Sequence, residues 1–550
     1  MSVNPAPLTL KAGLAILILS GAFLVLYLWG AAPSVMMGDS AELQAVALEG
    51  GIAHPSGYPL FTLAGWVFRH IPSGDLAHRI TVMCAFFGAI TIAVCILVLR
   101  EVGLPFWSCL VGAAWYGTTY TFWWSSIRTE VYTLALLCFT VAMLKLLTYL
   151  RTRRPWDAIQ AAFALGLTVT GHLAFGPAVL MMALALIFLR PEHMRIVHYL
   201  PLLFLAFAIG VSPYLYLFWA DARHLPMNYL NYTVNLDAGQ FGLSSATFDD
   251  AWERIPWVVF GRESIPNFFL LTPRMLILNF LNVGGTEFLS GFGPIALIPF
   301  TFGIAKYGQL KKTAGVLLLA VALSTLVFAV VCTRGRMVPI FLMAFTFVVG
   351  IVLAHGTATL VNALRIRFPA SRLPKVGLGA IVLVVGLLTP HILRVALYDS
   401  APGPLHWRVV EEGAPRIYSV IPQLRHYWEP RAYGNRVMAI LPENALVAGR
   451  WDEIMVLFYL HYVEGIRPDL TLDAFYRAHL LRLVRWQTTY GLKERPIVLL
   501  NRPPSLLPYP VRTDSMAVTP GKWVYIIREP LRMAENRTGS RTNPGRDQPR

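Results

Sequence analysis

What most limits the folds open to this chain is a succession of apolar stretches spread over its first 394 residues. A helix needs about 20 apolar residues to cross a hydrocarbon core about 30 Å thick. Eleven runs approach or exceed that length: 12–31, 80–99, 104–122, 131–149, a pair within 158–189, then 199–219, 275–304, 313–331, 337–358 and 376–394. The pair is parted by Gly171-His172 and Gly176-Pro177. Only 14% of residues are charged, where a soluble domain carries roughly 25%. Such a chain is expected to be a polytopic membrane all-α bundle. Lys11, the apolar run Ala12–Gly30 and Ala31-Ala32 follow the order of a secretory signal. That run is longer than the roughly 7–15 residues of a signal core, so we read it as an uncleaved first helix. The five cysteines, Cys84, Cys95, Cys109, Cys138 and Cys332, lie in or beside apolar runs, and no disulfide framework is expected.

The net charge of +16 would suit nucleic acid. The Arg and Lys residues, however, cluster between the apolar runs, as the positive-inside rule requires. Membrane lipid is therefore the expected partner, and nucleic acid is not. With the N-terminus in the cytoplasm, 100–103, 151–157, 190–198, 305–312 and 364–375 face inside. The outer loops are then 32–78 and 220–272, and the region after 394 is also non-cytoplasmic. Arg334 and Arg336 sit in a very short outer loop where topology does not call for them.

Three regions are expected: a transmembrane domain over 1–394, a non-cytoplasmic α/β domain over 395–535, and a disordered polar tail over 536–550. In the second region the apolar runs shorten to strand length at 446–448, 470–472, 497–500 and 523–527. Amphipathic helix patterns at 452–464 and 477–490 alternate with them, which points to an α/β unit.

The residues that stand out for chemistry gather after the first helix. Asp39 and Glu42 are three apart and share a face if helical. A carboxylate at an outer boundary can take a proton from a hydroxyl. The same spacing also matches a capping box, and both readings stand on spacing alone. His54-Pro55-Ser56-Gly57-Tyr58-Pro59 is a turn-rich, stiff segment. Its His54 suits phosphate binding, metal ligation or assistance to a base, or the segment is an interfacial loop braced by proline. Arg128 is a candidate phosphate clamp, or a side chain reaching to the interface. Glu130 complements the dipole of the helix it opens. His172 falls in a helix break at membrane depth, where irregular backbone lines a cavity or is buried in protein. Arg334 and Arg336 are further phosphate candidates. Asp39 and Glu42 could together hold a divalent cation, so the need for a metal is open.

The run Gly38-Asp39-Ser40-Ala41-Glu42, followed by Gly51-Ile52-Ala53-His54-Pro55-Ser56-Gly57-Tyr58-Pro59, resembles domain-of-unknown-function family 2723, grouped as glycosyltransferase family 117. Agreement extends to His78-Arg79, to Phe122-Trp123-Trp124 with Glu130-Val131-Tyr132, to Gly171-His172 with Pro177, and to Tyr459-Leu460 with Val463 to Asp469. The resemblance implies a GT-C fold of about eleven transmembrane helices with a C-terminal soluble α/β domain. It also implies an inverting glycosyltransferase that takes sugar from a polyprenyl-phosphate carrier on the non-cytoplasmic side. Carried over, Asp39 is the catalytic carboxylate and Glu42 a second one. His54, Tyr58, Arg128, Glu130, His172, Arg334 and Arg336 are then expected around the substrate. Vertebrate relatives are protein O-mannosyltransferases, which suggests mannose and a protein Ser/Thr hydroxyl; a glycan is the other acceptor class. The expected location is a bacterial inner membrane. A flippase of lipid-linked sugars would call for internal inverted repeats, and the sequence shows none. A non-catalytic envelope assembly protein is the other alternative.

Overall fold

The computed structural model describes residues 7–189, 195–231, 248–262, 272–282, 288–289, 291–310, 312–331, 338–367, 421–474, 480–502 and 511–530, with isolated positions at 377, 384, 386 and 388. The N-terminal helices are α1 (Leu10–Gly30), α2 (Gly38–Glu49), α3 (Pro59–Phe68), α4 (Leu76–Val102), α5 (Phe106–Gly117), α6 (Tyr120–Ile127), α7 (Tyr132–Thr152), α8 (Pro155–Gly171) and α9 (Gly176–Phe188). They continue as α10 (Ile196–Val211), α11 (Leu215–Ala222), α12 (Ala251–Val259), α13 (Pro273–Asn282), α14 (Leu297–Ala305), α15 (Lys312–Val331), α16 (Val338–Phe341) and α17 (Met343–Arg367). The C-terminal unit holds α18 (Glu429–Ile440), α19 (Trp451–Phe458) and α20 (Leu480–Tyr490).

Among the described residues six helical stretches are long and apolar enough to cross a membrane, beginning at Leu10, Leu76, Tyr132, His198, Thr313 and Met343. The chain is a multi-pass membrane protein. In the most apolar window of each helix, 83% of α17 is buried but only 17% of α1. α17 therefore runs through the bundle interior, while α1 lies on its rim with Leu14, Leu17, Ile18 and Val25 exposed. α8 and α10 approach closely at paired glycines. A Cβ on Gly166 would stand 2.4 Å from the Phe207 carbonyl oxygen, and one on Gly210 2.2 Å from that of Phe163. Small residues at such crossings let backbones touch where no hydrophobic drive joins helices.

Several boundaries differ from the expectation of eleven simple spans. The run at 104–122 is two helices, because α5 ends at Gly117 and α6 starts afresh at Tyr120. The run at 275–304 is likewise split into α13 and α14, with Gly293 at a positive φ of 82° and Pro294 before α14. The break within 158–189 is as expected: α8 ends at Gly171, and a 3₁₀ turn over Leu173–Phe175 leads into α9. The run at 376–394 lies largely outside the described residues, as do the start of the C-terminal region up to 420 and the tail after 530.

The segment at 32–78, expected as an outer loop, is not an open loop. It folds into α2 and α3 beneath the C-terminal unit, and α2 is buried from Ser40 to Leu48. Its apolar residues are covered on every side, and its buried Ser40, Glu42 and Gln44 each have hydrogen-bond partners. Met455, Phe458 and Tyr459 of the C-terminal unit share one apolar core with Ala41, Leu43 and Val46 of α2.

That unit is built on a five-stranded sheet. Its strands are β1 (Leu446–Gly449), β2 (Thr471–Ala474), β3 (Ile497–Leu499), β4 (Thr513–Thr519) and β5 (Lys522–Ile527), in the order β2-β1-β3-β5-β4. β1 pairs in parallel with β2 and β3, with Leu446 opposite Thr471 and Ile497; β5 runs antiparallel to β3 and β4. β4 escaped sequence reading because none of its residues is buried and it carries no apolar run. An ionic joint adds to the apolar seat. Arg431 donates to Glu464 through both terminal nitrogens at 2.5 Å, to Asp75 at 3.1 Å and to Ser34 at 3.0 Å. Asp75, which has no motif role in the sequence, also caps α4 by accepting from the His78 amide at 2.8 Å.

Candidate active site

α2 starts at Gly38, whose φ of +59° suits a residue without a Cβ. Its N-cap is Met37, which makes no side-chain capping bond. The capping box that the Asp39–Glu42 spacing allowed does not form. Asp39 instead accepts a hydrogen bond from the Trp451 indole nitrogen at 2.7 Å. Glu42 turns to the following loop, where it accepts from the His54 amide at 2.9 Å and from His54 Nδ1. From Gly38 to Leu48, Asp39 is the one residue that is not buried, whereas Glu42 is 0% exposed. The two carboxylates differ in access: one borders the opening, the other is sealed behind an imidazole.

The loop that carries His54 is held at both ends. Ile52 forms a parallel bridge with the segment at Asn228, donating to the Met227 carbonyl at 2.9 Å and accepting from Tyr229 at 2.8 Å. Asp221 accepts from both Asn228 and Arg254, which steadies that segment. Gly57 donates back to the His54 carbonyl at 2.8 Å and closes the turn. With Nδ1 facing Glu42, His54 Nε2 lies 3.3 Å from the Tyr58 hydroxyl, which itself donates to the Pro55 carbonyl at 2.7 Å. Burial raises the Tyr58 phenol well above its ordinary value, and Tyr132, Asp39, Glu42 and Glu130 add to the effect. Tyr58 therefore stays a neutral hydroxyl amid converging negative charge.

Arg128 pairs with Glu130 at 2.7 Å and donates to Ser40 Oγ, next to Asp39, at 3.0 and 3.2 Å. Glu130 thus serves the guanidinium rather than the start of α7, whose first turn holds no acid. Ser40 donates to the Thr129 carbonyl at 2.9 Å, which ties α2 to this segment. His172 accepts from the Ala174 amide at Nδ1, 2.9 Å away, and its ring lies between Tyr58 and Tyr132 at centroid distances of 5.3 and 5.0 Å. Asp39, Glu42, His54, Tyr58, Arg128, Glu130 and His172 are therefore brought into one linked cluster. Arg334 and Arg336 lie outside the described residues. Among the described residues no group of three or more His, Cys, Asp or Glu is placed to hold a metal ion.

Sequence reading missed Trp451 and Ser40. Trp451 lies two residues past the carboxyl end of a parallel strand, where ligands of open α/β sheets gather, and that position was a usable signal. Ser40 carried no signal beyond its place beside Asp39. What the arrangement offers chemically is an accessible, oriented carboxylate with a paired guanidinium close by. Such a site can take a proton from a hydroxyl and bind an anionic group.

Residues 39–195 match the family model of the protein O-mannosyl-transferase TMEM260 N-terminal domain. The mouse protein O-mannosyl-transferase TMEM260 is 24% identical over 462 residues, 79% of this chain and 59% of the mouse protein. The Dictyostelium discoideum tmem260 protein is 30% identical over 203 residues, 34% of this chain and 25% of its own length. The chain thus spans about three fifths or less of these relatives. Among solved structures, ArnT from Cupriavidus metallidurans bound to undecaprenyl phosphate superposes with a TM-score of 0.55 at 12% identity, covering 93% of this chain and 97% of ArnT. The apo form gives 0.50 at 13% identity, covering 94% and 98%. Over residues 39–195 the chain is therefore similar to the N-terminal domain of the protein O-mannosyl-transferase TMEM260, and it shares the GT-C fold of ArnT.

Proposed function

We propose that this chain is an inverting membrane glycosyltransferase that moves a sugar from a polyprenyl-phosphate carrier to an acceptor hydroxyl. In the reaction the acceptor oxygen attacks the anomeric carbon while the bond from that carbon to the phosphate oxygen breaks. Asp39 accepts the hydroxyl proton, and the polyprenyl phosphate leaves with the bonding electrons. The observation that carries this reading is Asp39 itself, the accessible carboxylate on an otherwise buried helix. Arg128, held against Ser40 and Glu130, is the group we assign to the donor phosphate. Glu42 acts by holding His54, and through it the Pro55–Tyr58 turn, rather than by chemistry of its own. Mannose and a protein Ser/Thr hydroxyl are the favoured sugar and acceptor, in line with the names of the relatives. From the distribution of basic loops we infer a cytoplasmic N-terminus, with the site and the α/β unit on the non-cytoplasmic side of what we take to be a bacterial inner membrane.

The test uses purified full-length protein in lipid with polyprenyl-phosphate mannose and a Ser/Thr peptide. Release of carrier phosphate together with mannosylated peptide is expected. Transfer of intact lipid-linked sugar across vesicles, with no release, would replace this reading by a flippase.

A further inference from the structure

We propose that Trp451, supplied by the α/β unit, is the positioning residue for Asp39, so that the active site is complete only with that unit seated. The inference rests on the transferase reading above and extends it to a residue remote in sequence. The indole nitrogen donates to Asp39 Oδ1 at 2.7 Å across 412 positions of chain. Among the described residues it is the side chain that hydrogen-bonds Asp39.

The placement of the indole is itself over-determined. Trp451 opens α19 just past β1, with Arg450 as the N-cap between them, so the sheet sets its position and direction. Its ring meets His54 edge-on at 6.3 Å and Tyr229 at 5.9 Å, at interplanar angles of 88° and 74°. His54 is the group that Glu42 holds, and Tyr229 belongs to the segment that bridges Ile52. The loop after α2, the segment at 227–229 and the α/β unit therefore converge on one indole. Asp39 sits beside this joint, and Gly38 next to it packs close to the α/β unit at a positive φ of 59°, where a Cβ would stand 2.8 Å from Asp452 Oδ1.

The chemical consequence follows from the freedom of an aspartate. Its carboxylate turns about two side-chain bonds, and a base must point a lone pair at the attacking hydroxyl at the moment of transfer. One N–H on Oδ1 fixes the plane of the group and leaves Oδ2 for the acceptor. It touches neither sugar nor acceptor, so its loss should lower turnover without weakening substrate binding.

Trp451→Phe removes the N–H and keeps most of the ring packing, and Trp451→His offers a ring N–H again. With Trp451→Phe we expect kcat to fall about tenfold to a hundredfold, the scale of a misplaced catalytic group. KM for donor and acceptor should stay within about twofold, and the melting temperature should fall by only a few degrees, because one hydrogen bond to Asp39 is lost while the His54 and Tyr229 ring contacts remain. Trp451→His should recover part of kcat. An unchanged kcat in Trp451→Phe overturns the inference. So does a raised KM at constant kcat, which would make Trp451 part of a binding surface. A double-mutant cycle of Trp451→Phe with Asp39→Ala, read by thermal unfolding, tests the contact apart from turnover; additive effects overturn it. If the unaltered protein transfers no sugar, the transferase reading fails while the cycle still decides the contact. If it transfers sugar and Trp451→Phe is indifferent, only this inference fails.

Discussion

The two carboxylates of α2 should fail in different ways when each is neutralised. Glu42 is fully buried and accepts two hydrogen bonds from His54, whose side chain is 23% exposed. Breaking a buried pair from one side costs about 3–5 kcal/mol, and the exposure of His54 places this case near 3. In Glu42→Gln the single amide oxygen can accept from only one of the two His54 donors, an N–H₂ faces the other, and the carboxylate charge is gone. That is a large share of a net stability of about 5–15 kcal/mol, so the melting temperature should drop by several degrees. Turnover per folded molecule should fall far less. Asp39→Asn is the opposite case. The amide oxygen still accepts from the Trp451 indole, so the fold should melt as before. Loss of the base, however, should cut turnover about 10²–10⁴-fold, equivalent to about 3–5 kcal/mol of barrier. Carrier phosphate release at saturating donor, normalised to folded protein, measures the first quantity, and thermal unfolding in detergent the second. If Glu42→Gln folds normally yet loses as much activity as Asp39→Asn, Glu42 takes part in the chemistry and the division of roles is wrong. If Asp39→Asn keeps turnover within about tenfold, Asp39 is not the base.

Other perturbations test the surroundings of the site. Arg431→Met should loosen the seat of the α/β unit by about 2 kcal/mol, since Asp75 and Glu464 lose a shared guanidinium in a partly buried joint; faster limited proteolysis of the C-terminal region is the readout. Gly51→Ala should cost at least about 2 kcal/mol and reduce the yield of folded protein, because φ is +135° and a Cβ would stand 1.9 Å from the Met227 carbonyl oxygen. The Arg467 guanidinium, donating at 2.8 and 2.9 Å, holds the Asp469 carboxyl well below its ordinary value of 3.8. A depressed folded-state value means stability that is full above the unfolded value and lost as pH falls below it. The melting-temperature gap between the unaltered protein and Asp469→Asn should therefore be constant from pH 7 to about 5 and shrink below about pH 4.

The sequence alone determined the solvent of this fold. Apolar runs of membrane length and basic residues between them are local, additive signals that no tertiary contact reverses. The helix break at His172 was legible for the same reason, since Gly and Pro act on their own backbone. So were the parallel strands at 446, 471 and 497, each a short apolar run between amphipathic helices. Only the tertiary structure decided that 32–78 is two packed helices. Its polar residues are satisfied by folding: Glu42 and Gln44 bond His54, Met36 and Ser34 within the segment, while Ser34 and Asp75 also meet Arg431 of the C-terminal unit. The same holds for the choice between Asp39 as cap and Asp39 as accessible carboxylate. Spacing defines which residues share a helix face, but which carboxylate is sealed depends on what packs against that face. Here that is His54, twelve residues on from Glu42, and Trp451, brought from the far end of the chain by the sheet.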